Sequence, residues 1–332
     1  MIISRTPFRI SLFGGGTDYP VWYNKYSGMV ISGTINKYCF ITARYLPPFF
    51  KYKHRIRYYK QEEKNSLDEI DHPSVRETAK FLDIKKGIEI VHNADLPAQS
   101  GLGSSSTFTV GLLNVLYGLK NYMPTKRELA LNAIHIEQDL IGENVGSQDQ
   151  TAAAFGGLNK IIFSKNNIVD VSPIPLSEDR MLQLENNLML FFTGFARNAS
   201  DIAAEQIKMT LNKKVELNNM LEICSEGINV LNNEKESIEK IGALLDEQWQ
   251  IKRKMTHEIS NKEIDDIYST GISAGALGGK LLGAGGGGFI LFYVPKKFQK
   301  KVQMALRPKL HVPFRFENTG SKIIYYSHQN NI

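Results

Sequence analysis

Apolar and polar residues change period several times along the chain, and the changes mark its elements. Met1 to Phe13 alternates as a strand does, then meets Gly14, Gly15, Gly16, Thr17 and Asp18. Gly28 to Tyr45, rich in Ile, Val, Thr, Tyr and Phe, predicts strands. Ser74 to Leu82 predicts a short helix, and Gly87 to Asn93 alternates as a half-buried strand. Phe108, Gly111, Leu112, Val115, Leu116 and Leu119 then recur at helical spacing. Thr125-Lys126-Arg127-Glu128 is a capping-box signature for a helix running to about Ile141. Ile161 to Pro175 predicts a hairpin turning at Lys165-Asn166-Asn167, and Asn187 to Phe192 a strand. Asn212 to Tyr268 is mostly helical in pattern. Lys280 to Val294 predicts a helix end, a polyglycine turn and a buried strand. A chain of 332 residues exceeds one ordinary core. The boundary falls near Val171 to Asp179, giving domains 1–175 and 176–332.

Composition narrows the class. Lys and Arg number 40 against 34 Asp and Glu, a net +6, which suits polyanionic small substrates or nucleic acid equally. Phe49 to Lys60 interleaves basic and aromatic residues, but period-two alternation accounts for it as a solvated strand. No nucleic-acid partner is therefore expected. Two cysteines form no framework, and no apolar run approaches a membrane span. A cytoplasmic protein with no membrane partner is expected.

Candidate chemistry collects at the glycines. Between the strand at Gly87 and the helix at Phe108 lies Gly101-Leu102-Gly103-Ser104-Ser105-Ser106. A strand, small-residue loop and helix N-terminus in that order cradle a phosphate, because the terminal N–H groups are unpaired and the dipole is positive there. The serines can cap the helix, donate to phosphate oxygens or ligate a metal. The loop lacks the Gly-Lys of a P-loop. Gly283, Gly285 and Gly288 match a dinucleotide fingerprint in spacing but run into a strand rather than a helix. Glu137 lies on the apolar face made by Ile134 and Ile141, where a carboxylate is costly unless ion-paired or metal-bound. Ser147 is placed to cap a helix with Asp149 in its first turn. Asp18 can accept from a sugar hydroxyl or close an Asx-turn. Arg197, near a helix start, can hold an anion or sit on the surface.

The segments P-F-R-I-S-L-F-G-G-G-T-D-Y, L-P-A-Q-S-G-L-G-S-S-S and L-L-G-A-G-G-G-G-F occur in order at the start, middle and end. They resemble the three motifs of the GHMP kinases, and most closely the D-glycero-D-manno-heptose 7-phosphate kinases among them. The resemblance implies an α+β two-domain GHMP kinase fold: a ribosomal protein S5 domain 2-like N-terminal domain and a ferredoxin-like C-terminal domain. It implies ATP and Mg²⁺ as cofactors, a small sugar phosphate as substrate, and a monomer or homodimer. Gly101, Leu102, Gly103 and Ser104 to Ser106 would wrap ATP, with Ser105 and Glu137 on Mg²⁺. Asp149 matches the catalytic aspartate and Arg9 the arginine beside it. Gly14, Gly15, Gly16, Thr17, Asp18, Gly285 and Gly286 would face the sugar. Arg197, with Arg5 or Lys37, is the candidate for the sugar's own phosphate. Gly15-Gly16 stands where relatives often carry Glu-His, which argues against simple galactose and makes room for a larger sugar. A kinase of a free sugar such as fucose, or a non-catalytic sensor of the same fold, are the rival expectations.

Overall fold

The computed structural model describes residues 1–195 and 199–327. The first half builds a sheet from β1 (Ile2–Phe13), β2 (Gly28–Tyr45), β3 (His54–Arg57), β4 (Gln61–Lys64), β5 (Ile88–Ala94), β6 (Leu158–Ser164) and β7 (Ile168–Pro173). Its order is β1-β2-β5-β3-β4, with β6 beside β2 and β7 beside β6. β2 organises it: residues 28–33 pair with β6 and residues 39–45 with β5. β3 runs parallel to β5, whereas the other pairs are antiparallel. Pro7 has no N–H for a ladder, and the β1–β2 register shifts between Pro7 and Arg9. The β6–β7 turn puts Asn166 and Asn167 at φ 61° and 55°, the left-handed pair a two-residue hairpin requires.

Five helices belong to this half: α1 (Pro20–Tyr26), α2 (Pro73–Phe81), α3 (Ser104–Leu119), α4 (Lys126–His135) and α5 (Gln148–Phe155). α3 is buried on nearly every side because it packs on β1 and β2 and is covered by α2, α4 and α5. Thr125 caps α4 by accepting from the Glu128 N–H, as its sequence predicts. The helix does not continue to Ile141 as α-helix. Ile136–Ile141 is one π-helical turn, ended by Gly142 in the left-handed region. Such turns gather at functional sites, and Glu137 lies in this one.

The second half contains α6 (Glu178–Asn187), β8 (Leu188–Phe192), α7 (Ala199–Thr210), α8 (Lys214–Asn232), α9 (Lys240–Arg253) and α10 (Lys262–Ala274). β9 (Gly278–Leu281), β10 (Phe289–Tyr293), α11 (Gln299–Ala305) and β11 (Leu310–His311) follow. Its four-stranded antiparallel sheet is ordered β11-β8-β10-β9. The stretch expected as a helix end before the glycines is β9, because the buried β10 backbone needs a ladder partner on that side. The tail crosses the expected boundary at residue 175. β12 (Lys322–Tyr326) returns to pair with β1, making the larger sheet eight-stranded. Ile10, Leu112 and Leu116 share one buried cluster with Leu190, Leu291 and Tyr293, so the two halves share a core.

Among the described residues no helix is long and apolar enough to cross a membrane. The basic-aromatic stretch is used internally: Arg55 and Arg44 both bind Glu89, and Arg55 also lies 4.9 Å over the Phe50 ring.

Candidate active site

The glycine loops meet where the two halves touch. Gly101 stands at φ +77° before α3, and a Cβ there would lie 2.5 Å from the Leu282 carbonyl oxygen. At Gly283, φ +75°, a Cβ would lie 2.5 Å from the Gly101 Cα. Backbone therefore rests directly on backbone, which only glycine at both positions permits. Gly285 and Gly286, expected to face substrate, instead hold this loop in place: the Gly286 N–H donates to the Ile259 carbonyl, and Gly285 abuts Ile259.

A cleft of about 540 Å³ opens beside the junction, walled by Arg9, Gly15, Gly16, Asp18, Gly101, Gly103, Ser104, Ser105, Ser106 and Asp149, among others. Residues as far apart in sequence as Arg9 and Asp149 thus line one cleft. Gly14, Thr17 and Leu102 lie behind its wall. The Gly14 N–H donates to Gln248 Oε1, the Thr17 hydroxyl donates to the Gly14 carbonyl, and the Leu102 side chain belongs to the core. Neither Arg5 nor Lys37 is part of the wall; Arg5 pairs with Glu317 and lies over Tyr38. Arg197 lies outside the described residues.

The Arg9 guanidinium binds Asp149 through two bonds, Nε to Oδ1 and Nη2 to Oδ2, both 2.8 Å. Its third nitrogen, Nη1, donates to the Gly101 carbonyl at 2.8 Å. This fork-to-carboxylate geometry fixes both partners. Asp18 sits nearby with its carboxylate accepting from the Gly16 N–H at 2.9 Å. Burial raises its pKa; the Gly16 bond opposes that and the Asp149 charge adds to it. Gly146 has to be glycine, since a Cβ would fall 1.9 Å from Asp18 Oδ2. Ser147, expected to cap α5, does not do so with its side chain. Its hydroxyl meets Tyr23 and Gln138 instead.

α3 begins at Ser104, and its N-cap is Gly103 in the left-handed conformation. The serines are therefore not caps but the first helical residues, and the terminal amides face the cleft without an intrahelical partner. Ser104 Oγ accepts from the Gln99 N–H, Ser105 is exposed, and Ser106 donates to Glu137 Oε2 at 2.7 Å. It is Ser106, not Ser105, that meets Glu137 directly. Glu137 is fully buried, also receives a bond from Gln150, and among the described residues leaves Oε1 without a partner. Burial pushes its carboxyl up to about 7, against the hydrogen bonds from Ser106 and Gln150.

The cleft's far end is aromatic. His72 stacks on Phe108 at 4.6 Å, Tyr58 meets His72 edge-on and His92 meets Phe108 edge-on. Burial holds His72 down to about 4, so the ring is neutral at pH 7. A flat neutral base fits such a surface. The opposite wall carries two buried lysines, Lys252 and Lys280. Sequence reading missed both and the aromatic end. A signal existed for Lys252: Ile241, Leu245, Gln248 and Lys252 form one buried stripe of α9. A cation on such a stripe is the counterpart of Glu137 on its own.

A helix terminus with unpaired amides, an ion-paired aspartate and an aromatic pocket are the parts that a nucleotide-using phosphotransferase site requires. Family comparison makes the class specific. The GHMP kinases N terminal domain family matches residues 73–157, and the GHMP kinases C terminal family matches residues 230–307. The chain is 32% identical over 326 residues to a D-glycero-alpha-D-manno-heptose 7-phosphate kinase of Campylobacter jejuni, covering 92% of this chain and 93% of that one. A crystal structure of a D-glycero-D-manno-heptose 1-phosphate kinase from Bacteroides thetaiotaomicron superposes with TM-score 0.73 at 25% identity, over 99% of this chain and 100% of the other. A Lactococcus lactis galactokinase complexed with galactose shares the fold at TM-score 0.74 and 20% identity, covering 97% and 94%. The chain belongs to the GHMP kinases and is an ATP-dependent kinase.

Proposed function

We propose that the protein transfers the γ-phosphoryl group of ATP to the anomeric hydroxyl of D-glycero-D-manno-heptose 7-phosphate, giving the 1,7-bisphosphate for nucleotide-activated heptose and surface polysaccharide. The observation that carries this is the Arg9–Asp149 pair, held where the α3 terminus on one side and the Asp18 loop on the other open into one cleft. Asp149 Oδ2 takes the hydroxyl proton as the sugar oxygen bonds to phosphorus. The bond from phosphorus to the bridging oxygen breaks, and ADP leaves. Phosphoryl transfer of this kind needs alignment and charge neutralisation more than covalent help. The α3 amides and Ser104 to Ser106 hold the nucleotide phosphates, and Asp18 orients a sugar hydroxyl. Gly15 and Gly16 carry no side chains, which leaves width for a seven-carbon sugar.

The residues also fit Mg²⁺. Glu137 Oε1 is a buried carboxylate oxygen without a partner among the described residues, and Ser105 is an exposed hydroxyl one residue from Glu137's neighbour Ser106. Glu137 and Ser105 would hold the ion, which supplies positive charge to the phosphate oxygens.

The test is ATP turnover with Mg²⁺ against heptose 7-phosphate, free heptose, fucose, galactose and mannose, with phosphorus NMR to locate the product. An anomeric phosphate formed only from heptose 7-phosphate supports the assignment. Turnover of a free sugar at equal or greater kcat/KM replaces it with a free-sugar kinase.

A further inference from the structure

The C-terminal wall carries charge that the mechanism above leaves unused. Lys252 and Lys280 are 6% and 2% exposed, and among the described residues neither makes an ion pair. Lys280 Nζ donates to the Ser11 and Leu12 carbonyls at 3.0 and 3.1 Å, so it ties β9 to the end of β1. Lys252 Nζ makes, among the described residues, a single bond, to the Gly283 carbonyl. An ammonium has three N–H donors, so among the described residues two are without a partner, and Lys252 lines the cleft.

A lysine in the last turn of a helix needs no special account when it is exposed, since the helix dipole favours it there. Arg253, the next residue, is that ordinary case: it pairs with Asp265 at 2.7 Å and covers Trp249. Lys252 points inward with no carboxylate in direct contact among the described residues, and burying an ammonium without such a contact is costly. Ligand charge is what makes such a position tolerable.

The position of Lys252 says which charge. Gly283, its partner, rests on Gly101, and the Gly101 carbonyl receives Arg9. Lys252 is thus two backbone contacts from the Arg9–Asp149 pair, at the reacting end and not the aromatic end. Arg9 is committed, with three nitrogens on Asp149 and Gly101. A phosphoryl group in transfer spreads negative charge over three oxygens, and Arg9 has no unshared fork to offer them. We propose that Lys252 is the cation that meets the phosphoryl group during transfer, with Lys280 as the positioning residue that holds its wall against β1. This rests on the kinase reading of the cleft and not on the identity of the sugar. Burial holds Lys252 down to about 8, where Asp18 and Asp149 support its proton and Arg9 opposes it.

The test compares binding of ADP and of the non-hydrolysable β,γ-imido analogue of ATP by calorimetry, in the unmodified protein and in K252M and K252R. The unmodified protein should prefer the analogue. K252M should lose that preference while ADP affinity stays within about twofold, and its kcat should fall on the order of 10²-fold or more. K252R should recover part of both. A second measurement needs no variant: at pH 8.5 analogue binding should take up more protons than ADP binding, because the phosphoryl group raises the Lys252 pKa. Equal proton uptake, or an unchanged analogue preference in K252M, overturns the proposal. A KM for sugar phosphate raised tenfold with analogue binding intact also overturns it, and assigns Lys252 to the phosphate the sugar already carries. Failure of heptose 7-phosphate as substrate leaves both binding measurements interpretable, so the two readings fail separately.

Discussion

The two walls of the cleft handle charge in opposite ways. On the N-terminal side Arg9 and Asp149 neutralise one another through two 2.8 Å bonds, and the guanidinium's third nitrogen is anchored to backbone. On the C-terminal side Lys252 and Lys280, among the described residues, meet only carbonyl oxygens. Glu137, behind Ser106, is the acidic version of that second case: fully buried, with one oxygen bonded and the other without a partner among the described residues. A paired group is built for orientation, because its geometry is settled before substrate arrives. An unpaired buried group is built for binding, because the opposite charge has to come from outside. The contrast separates substitutions that damage chemistry from those that relieve the protein of an uncompensated charge.

The paired wall should give the largest effect. Asp149→Asn keeps the shape and removes the proton acceptor of the proposed mechanism, so kcat should fall about 10²- to 10⁴-fold with little change in thermal stability. A loss under tenfold would make Asp149 an orienting group only. Glu137→Gln should act oppositely on function and stability. Its carboxyl, near 7 when folded against 4.5 for an ordinary glutamate, binds its proton more tightly in the folded state. Stability therefore falls as pH rises from about 4.5 to about 7 and stays low above that. Removing the charge should stabilise the metal-free protein at pH 8 by about 3 kcal/mol, read from urea titrations at pH 5 and 8, while Mg²⁺-supported turnover drops. A variant no more stable than the parent at pH 8 would sink this account.

Gly283→Ala tests the seam between the walls. The added methyl meets Gly101 Cα at 2.5 Å in a left-handed backbone, so a loss of about 1–3 kcal/mol is expected, seen as a lowered Tm. Equal Tm values would mean that the loops do not rest on each other in solution. The smallest effect concerns pH. Lys252, depressed by burial, faces Asp18, Asp149, Arg9 and Lys280. Losing its proton above about pH 8 should lower kcat/KM by up to about tenfold per unit, and K252R should move that limb upward. An alkaline limb unmoved in K252R would detach it from this lysine.

Much of the fold is legible in the chain, and for local reasons. The β6–β7 turn, the Thr125 cap, β5, α2 and the α3 periodicity each depend on residues a few positions apart. Where neighbours in space decide, sequence reading errs. β9 reads as a helix end because its ladder partner, β10, lies beyond the glycine loop. The π turn at Glu137 and the return of β12 to β1 are invisible for the same reason. Of the candidate site, Arg9, Asp18, the Gly101 loop, Ser104 to Ser106 and Asp149 share one cleft, whereas Gly285 and Gly286 support its seam.

The order of residues alone marks where phosphate chemistry is possible, because left-handed glycines, a serine-rich helix start and a charge on an apolar stripe carry their meaning within one or two turns of chain. Packing selects which of those groups act together. Whether Arg9 reaches Asp149, which serine meets Glu137, and that Lys252 turns inward where Arg253 turns outward depend on residues as many as 140 positions apart lying side by side. Local spacing reports which face a side chain occupies. It does not report what that face is packed against, and the charge that remains unpaired there is set by the packing.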